Sequence, residues 1–168
     1  RDGAISLERI QQIMPRLASA LTYAHTLGIL HRDIKPSNIM IDSRGEPYLT
    51  DFGLARIAQM GESTMSADMM LGTPQYISPE QAQGLPNLTA STDIYSLGII
   101  LYELVTGQVT FVGDNTYAIV HKQIYAAPPA PSELYPDIPP EVEDVLLRAL
   151  QKDPKARYAT PTVMIDAF

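Results

Sequence analysis

His31-Arg32-Asp33-Ile34-Lys35-Pro36-Ser37-Asn38 sets an imidazole, three charged side chains, a proline and an amide side by side, directly after the apolar end of a helical pattern. A chain that concentrates polar chemistry where a helix has just delivered it to the core is building a site. Upstream, Ser6 to Gly28 carries a serine N-cap, a C-terminal glycine and apolar residues at Leu7, Ile10, Ile13, Leu17, Leu21 and Ala24, the spacing of one helix face. Pro15 lies inside that pattern and deletes one ladder hydrogen bond, so a kink or restart costing roughly 3 kcal/mol is expected there. Downstream, two short apolar runs flank Ser43-Arg44-Gly45, the pattern of a small β-hairpin that ends at Asp51-Phe52-Gly53.

Further out, apolar periodicity fades from Leu54 to Pro86, which predicts a long irregular segment of the kind that usually carries function. Ser91 to Gly107 is apolar almost throughout, so it reads as a helix buried on all sides that starts at Ser91. Asp114 is the expected cap of a shorter helix running to Tyr125, and Pro128 to Pro140 reads as a packed, extended linker. A helix then opens on proline and stops before Asp153-Pro154, and a last short one begins at Thr160. The fold class is mainly α with a small β-hairpin region.

Composition narrows the function classes. A chain of 168 residues, 45% hydrophobic and 18% charged, is long enough to bury a core. It contains no apolar run long enough to span a bilayer and no secretory leader pattern. With no cysteine it has no disulfide, thiolate nucleophile or zinc-thiolate site, which suits a reducing compartment and makes a cytoplasmic setting the expectation. A formal charge of -7 opposes nonspecific nucleic-acid binding and either attracts basic partners or serves only solubility.

The motifs, taken in order, resemble those of the protein kinases. His31-Arg32-Asp33 followed by Asn38 is similar to their catalytic loop, and Asp51-Phe52-Gly53 to their metal-binding triplet. Gly72-Thr73-Pro74-Gln75-Tyr76-Ile77-Ser78-Pro79-Glu80 resembles the end of an activation segment, Asp93 to Gly98 the start of the central helix, and Arg157 the late arginine. Ser-Pro-Glu-Gln-Ala-Gln-Gly and Asp-Ile-Tyr-Ser-Leu-Gly point to the bacterial Hanks-type serine/threonine kinases. The resemblance covers essentially the whole chain and implies a kinase-like fold restricted to the C-terminal lobe, residues 1–168, with the catalytic loop at 31–38, the activation segment at 51–80 and a helical subdomain at 91–168.

Phosphoryl transfer needs positioning and charge neutralisation more than covalent chemistry. The resemblance therefore implies that Asp33 orients the attacking hydroxyl and Lys35 places an ammonium beside the γ-phosphate of ATP. Asn38 and Asp51 supply hard oxygens for Mg2+, or Mn2+ in its place. Met40 falls where the family contacts adenine, although a methionine in a short strand is also ordinary core. His31, Phe52 and Asp93 match a structural stack, with Gly53 completing the triplet, and Glu80 with Arg157 match a buried ion pair that fixes geometry. His25 and His121 read as packing residues. Glu103 is either a reader of basic substrate peptides or a helix-surface carboxylate.

Arg32, preceding Asp33, belongs to the class of arginines that pair with a phosphate added to the activation segment, for which Ser63, Thr64 and Ser66 are the candidate acceptors. Thr73 together with Lys35 matches serine/threonine rather than tyrosine specificity. Departures from the family pattern are Ser78 in place of alanine, Tyr95 in place of tryptophan and Val109-Thr110-Phe111 without prolines. No glycine-rich phosphate loop and no strand lysine precede the first helix, so the N-terminal β lobe is expected to be absent from this piece. A protein substrate is the expected partner. Three arrangements follow: a kinase fragment inactive alone and continuing into further regions, which include a membrane anchor in many bacterial relatives; a truncated binding module without turnover; or two copies that exchange segments.

Overall fold

A computed structural model describes residues 5–52 and 74–168. Helix α1 (Leu7–Thr26) starts where the Ser6 hydroxyl accepts the Arg9 N–H. It ends in a Schellman turn, with Gly28 at φ +72°, the Gly28 N–H on the His25 carbonyl and the Ile29 N–H on the Ala24 carbonyl. The helix is one continuous element through Pro15, so the expected restart does not occur there. Pro15 and Gln11, whose carbonyl loses its helical partner, both lie on the exposed face, where such a group is open to solvent. The opposite face buries Ile10, Met14, Leu17, Ala18, Leu21 and Ala24, each large apolar side chain contributing about 1.5–3 kcal/mol.

Strands β1 (Ile39–Ile41) and β2 (Pro47–Leu49) pair antiparallel in the register Ile39–Leu49, Met40–Tyr48, Ile41–Pro47. Their turn is tied by Asp42, whose Oδ1 accepts the N–H groups of Arg44 and Glu46, and it needs Gly45 at φ +84°. Ile39 and Leu49 pack on the core, while Met40 and Tyr48, one pleat over, face outward.

Helix α2 (Pro79–Ala82) and a 3-10 turn at Pro74–Tyr76 lie inside the stretch expected to be irregular. Ser78, with Gln81, forms a capping box that is reason enough for the short helix. Helix α3 (Ala90–Thr106) is the axis of the molecule, buried continuously from Thr92 to Tyr102. Its N-cap is Thr89; the Ser91 hydroxyl, expected to start the helix, instead donates to the Pro154 carbonyl. Helix α4 (Thr116–Tyr125) is capped by Asn115, which accepts the Ala118 N–H, and not by Asp114. The proline-rich linker is not wholly extended, since it folds one helical turn, α5 (Pro131–Leu134).

Helices α6 (Pro140–Ala149) and α7 (Pro161–Ala167) complete the layer, α7 starting at Thr160 as the sequence implies. Helix α3 packs against α1, α5, α6 and α7, and α7 against α1. The described residues are mostly helical with one two-stranded antiparallel sheet. No helix among the described residues is long and apolar enough to cross a membrane.

Candidate active site

The polar loop is held from beneath by Asp93, in the first turn of α3 and fully buried. Its Oδ1 accepts the Arg32 N–H at 2.8 Å; its Oδ2 accepts the His31 N–H at 2.8 Å and the His25 ring at 2.7 Å. This clamp bends the chain so that Arg32 sits at φ +65°, a left-handed conformation that costs a non-glycine residue about 1–3 kcal/mol and persists only where surroundings enforce it. Asp51 is held in the same region at φ +63°.

His31 carries the clamp upward. Its Nε2–H donates to the Thr50 carbonyl at 2.9 Å, so its Nδ1 is the acceptor that takes the Asp33 N–H at 3.3 Å. Its ring lies 4.6 Å from that of Phe52, centroid to centroid. One imidazole thus ties the residue that precedes Asp51 to the backbone of Asp33.

Asp33, Lys35 and Asn38 converge. Lys35 Nζ is 2.8 Å from Asp33 Oδ2, and Asn38 Nδ2 donates to Asp33 Oδ2 at 3.0 Å and to the Asp33 carbonyl at 2.8 Å. Both amide hydrogens of Asn38 are thereby used, and its Oδ1 accepts no hydrogen bond among the described residues. The Asn38 carbonyl accepts the Thr50 N–H at 2.9 Å, continuing the hairpin ladder by one step and bringing Asp51 beside it. Asp51 is exposed and forms no ion pair among the described residues. Met40 is 56% exposed beside Tyr48, so it is surface and not core.

Glu80 and Arg157 meet as expected, at 2.7 and 2.9 Å in a bidentate pair, both buried. The remaining Arg157 N–H groups donate to the carbonyls of Gln151, Ser91 and Lys152, so the guanidinium is fully satisfied. Burial alone would raise the Glu80 carboxyl, but the Arg157 guanidinium and the Thr92 hydroxyl outweigh it and hold the group below its ordinary value. Glu103 is not a free surface carboxylate, because it accepts the Tyr76 hydroxyl at 2.6 Å. Gly53, Ser63, Thr64, Ser66 and Thr73 lie outside the described residues.

Two positioning groups escaped the sequence reading. His25, a packing residue by its sequence context, is a third donor to Asp93. Gln81 Nε2 donates to the Arg32 carbonyl at 2.7 Å, joining α2 to the polar loop. The Ser-x-x-Gln capping pattern was visible for Gln81, whereas nothing local distinguishes His25 from any helical histidine.

The family model for the protein kinase domain matches residues 1–168, and the chain belongs to that family, in its bacterial Hanks-type serine/threonine branch. The chain is 42% identical to serine/threonine-protein kinase PknB of Mycolicibacterium smegmatis over 97% of its length and 26% of that protein. It is 42% identical to a probable serine/threonine-protein kinase of Streptomyces coelicolor, covering 94% of the chain and 23% of that protein. A probable serine/threonine-protein kinase of Clostridium acetobutylicum is 41% identical over 98% of the chain and 25% of its own length. The chain therefore spans about a quarter of the curated relatives it matches.

Proposed function

We propose that these residues form the C-terminal lobe of a protein serine/threonine kinase catalytic domain and hold the catalytic-loop and metal-binding half of its active site. The reaction is transfer of the ATP γ-phosphate to serine or threonine hydroxyls of a protein substrate. The observation that carries this proposal is the shared Asp33 carboxylate, bonded by both Lys35 and Asn38 within one ladder step of Asp51.

The donor set suits a magnesium nucleotide. Asn38 Oδ1 and the Asp51 carboxylate are hard oxygens, and among the described residues no group of three or more His, Asp or Glu side chains stands ready to enclose a metal by itself. A cation held by so few protein ligands takes the rest from phosphates and water, as Mg2+ does, and Mn2+ fits the same oxygens. When bound, Mg2+ neutralises charge on the β- and γ-phosphates.

Asp33 receives the acceptor hydroxyl through its carboxylate and takes up its proton. Lys35, now against Asp33, reaches the transferring phosphoryl group and offsets its charge. Asn38 keeps Asp33 oriented while presenting Oδ1. Met40, exposed and apolar, forms one wall for adenine. Ser63, Thr64 and Ser66 remain the candidate phosphoacceptors and Arg32 the phosphate partner. A truncated binding module would have no need of the Asp33, Lys35 and Asn38 convergence.

In the full-length protein, Asp33→Asn and Asp51→Ala are each expected to lower phosphotransfer by about a thousandfold or more, measured with radiolabelled ATP and Mg2+. A normal rate in Asp51→Ala would remove the metal assignment, and a normal rate in Asp33→Asn would remove the role of Asp33.

A further inference from the structure

Away from Asp33, a second buried polar chain crosses the helical layer. Lys152, in the turn after α6, donates from Nζ to the Gln123 carbonyl at 2.7 Å and to the Tyr95 hydroxyl at 2.9 Å. It sits over the Phe111 ring at 4.5 Å and beside the Tyr95 ring at 5.3 Å. The Tyr95 hydroxyl in turn donates to Gln123 Oε1 at 2.6 Å. Gln123 Nε2 donates to the Gln75 carbonyl and approaches the Pro74 carbonyl at 3.5 Å. Tyr95 and Gln123 are fully buried.

Keeping an ammonium here is costly. Burial first, and the neighbouring Arg157 second, depress its pKa to about 8. A methionine would fill the same aromatic cage without that desolvation. What the ammonium adds is direction. It fixes the Tyr95 hydroxyl hydrogen toward Gln123 Oε1, which turns the Gln123 NH2 group toward the backbone of Gln75. Gln123 links α3, α4 and the Pro74–Tyr76 turn; that turn follows Thr73, the hydroxyl which the kinase resemblance sets against Asp33, and it ends in the Tyr76 contact to Glu103.

We propose that Lys152, acting through Tyr95 and Gln123, is a positioning residue that holds the Pro74–Tyr76 turn in place and so sets how the protein acceptor presents its hydroxyl to Asp33. The proposal rests on the kinase reading. It makes the end of the activation segment depend on a group in the turn after α6, on the far side of α3 from the catalytic loop.

The test uses the full-length protein with Lys152→Met and Tyr95→Phe, and a peptide of residues 59–70 of this chain as phosphoacceptor. Both variants are expected to raise the peptide KM about fivefold or more while the ATP KM and kcat stay within about twofold. Amide hydrogen exchange at Gln75, Tyr76 and Ile77 should accelerate in both. Combining the two substitutions should add little to either one, because they cut the same chain. Tyr95→Phe, which keeps the ring, decides the matter should Lys152→Met fail to fold. Unchanged exchange at Gln75, Tyr76 and Ile77, or faster exchange with an unchanged peptide KM, overturns the proposal. A parallel fall in kcat and rise in ATP KM overturns it too, by showing a merely structural role. A wild-type protein without phosphotransfer would remove the kinase reading instead, and exchange would still decide whether Lys152 holds the turn.

Discussion

Asp93 gathers donors from His25, His31 and Arg32, and no apolar or neutral group of its size could accept from all of them. Asp93→Asn would replace one acceptor oxygen by an NH2 group facing N–H donors, freeing Arg32 to leave its strained φ. We expect kcat to fall on the order of 100-fold in the full-length protein, since displacements of about 1 Å cost that much. A kcat within about threefold of wild type would mean that the loop keeps its form without the clamp. Arg157 presents the same logic with opposite charge. Arg157→Met strands the buried Glu80 carboxylate and should cost about 3–5 kcal/mol in urea unfolding. The pH dependence has a defined sign. In the wild type the folded Glu80 carboxyl lies below its unfolded value, so its contribution is present above the unfolded value and is lost as pH falls through the folded one. In Arg157→Met burial dominates and raises the carboxyl, so acidification toward about pH 4 should relieve the defect instead of deepening it.

At the scale of elements, α3 and α6 approach so closely that Gly98 is required. A Cβ built there would stand 2.8 Å from the Ala149 Cβ and 3.4 Å from Leu150 Cδ2. Helix propensity alone would make Gly98→Ala stabilising by about 1 kcal/mol. The Ala149 Cβ is fixed to its backbone and cannot swing away, so the clash decides the sign, and a net loss of about 1–2 kcal/mol is expected from thermal or urea melts. A gain in stability would show that the helices can part without cost. The hairpin has the opposite character. With three residues per strand it depends on Ile39 and Leu49 packing below, and it leaves Met40 and Tyr48 open above.

For the whole molecule, the proposed kinase reading has the exposed Met40, beside Tyr48, and the Asp33 cluster meet a nucleotide from the side of the described residues. The 168-residue chain alone is therefore expected to transfer phosphate at a negligible rate, with Asp33→Asn indistinguishable from it. Robust turnover by that chain, abolished in Asp33→Asn, would show that the described half suffices.

Local order determined much of this protein in advance. The cap at Ser6, the glycine stop at Gly28, the hairpin turn at Gly45 and the start at Thr160 are short-range effects of side chains on their own backbone, and they read correctly. The order of His31, Asp33, Lys35, Asn38 and Asp51 likewise singled out the loop. Only the tertiary structure decided what competes with those local preferences. Pro15 leaves its helix continuous because it and the carbonyl it orphans lie on the exposed face. Ser91 gives up a cap because Pro154 lies within reach, and Asn115 takes the cap expected of Asp114. His25, Gln81 and Lys152 became positioning groups through partners tens of residues away. A hydrogen bond between distant segments leaves no periodicity behind, so such roles exist only once the helices have packed.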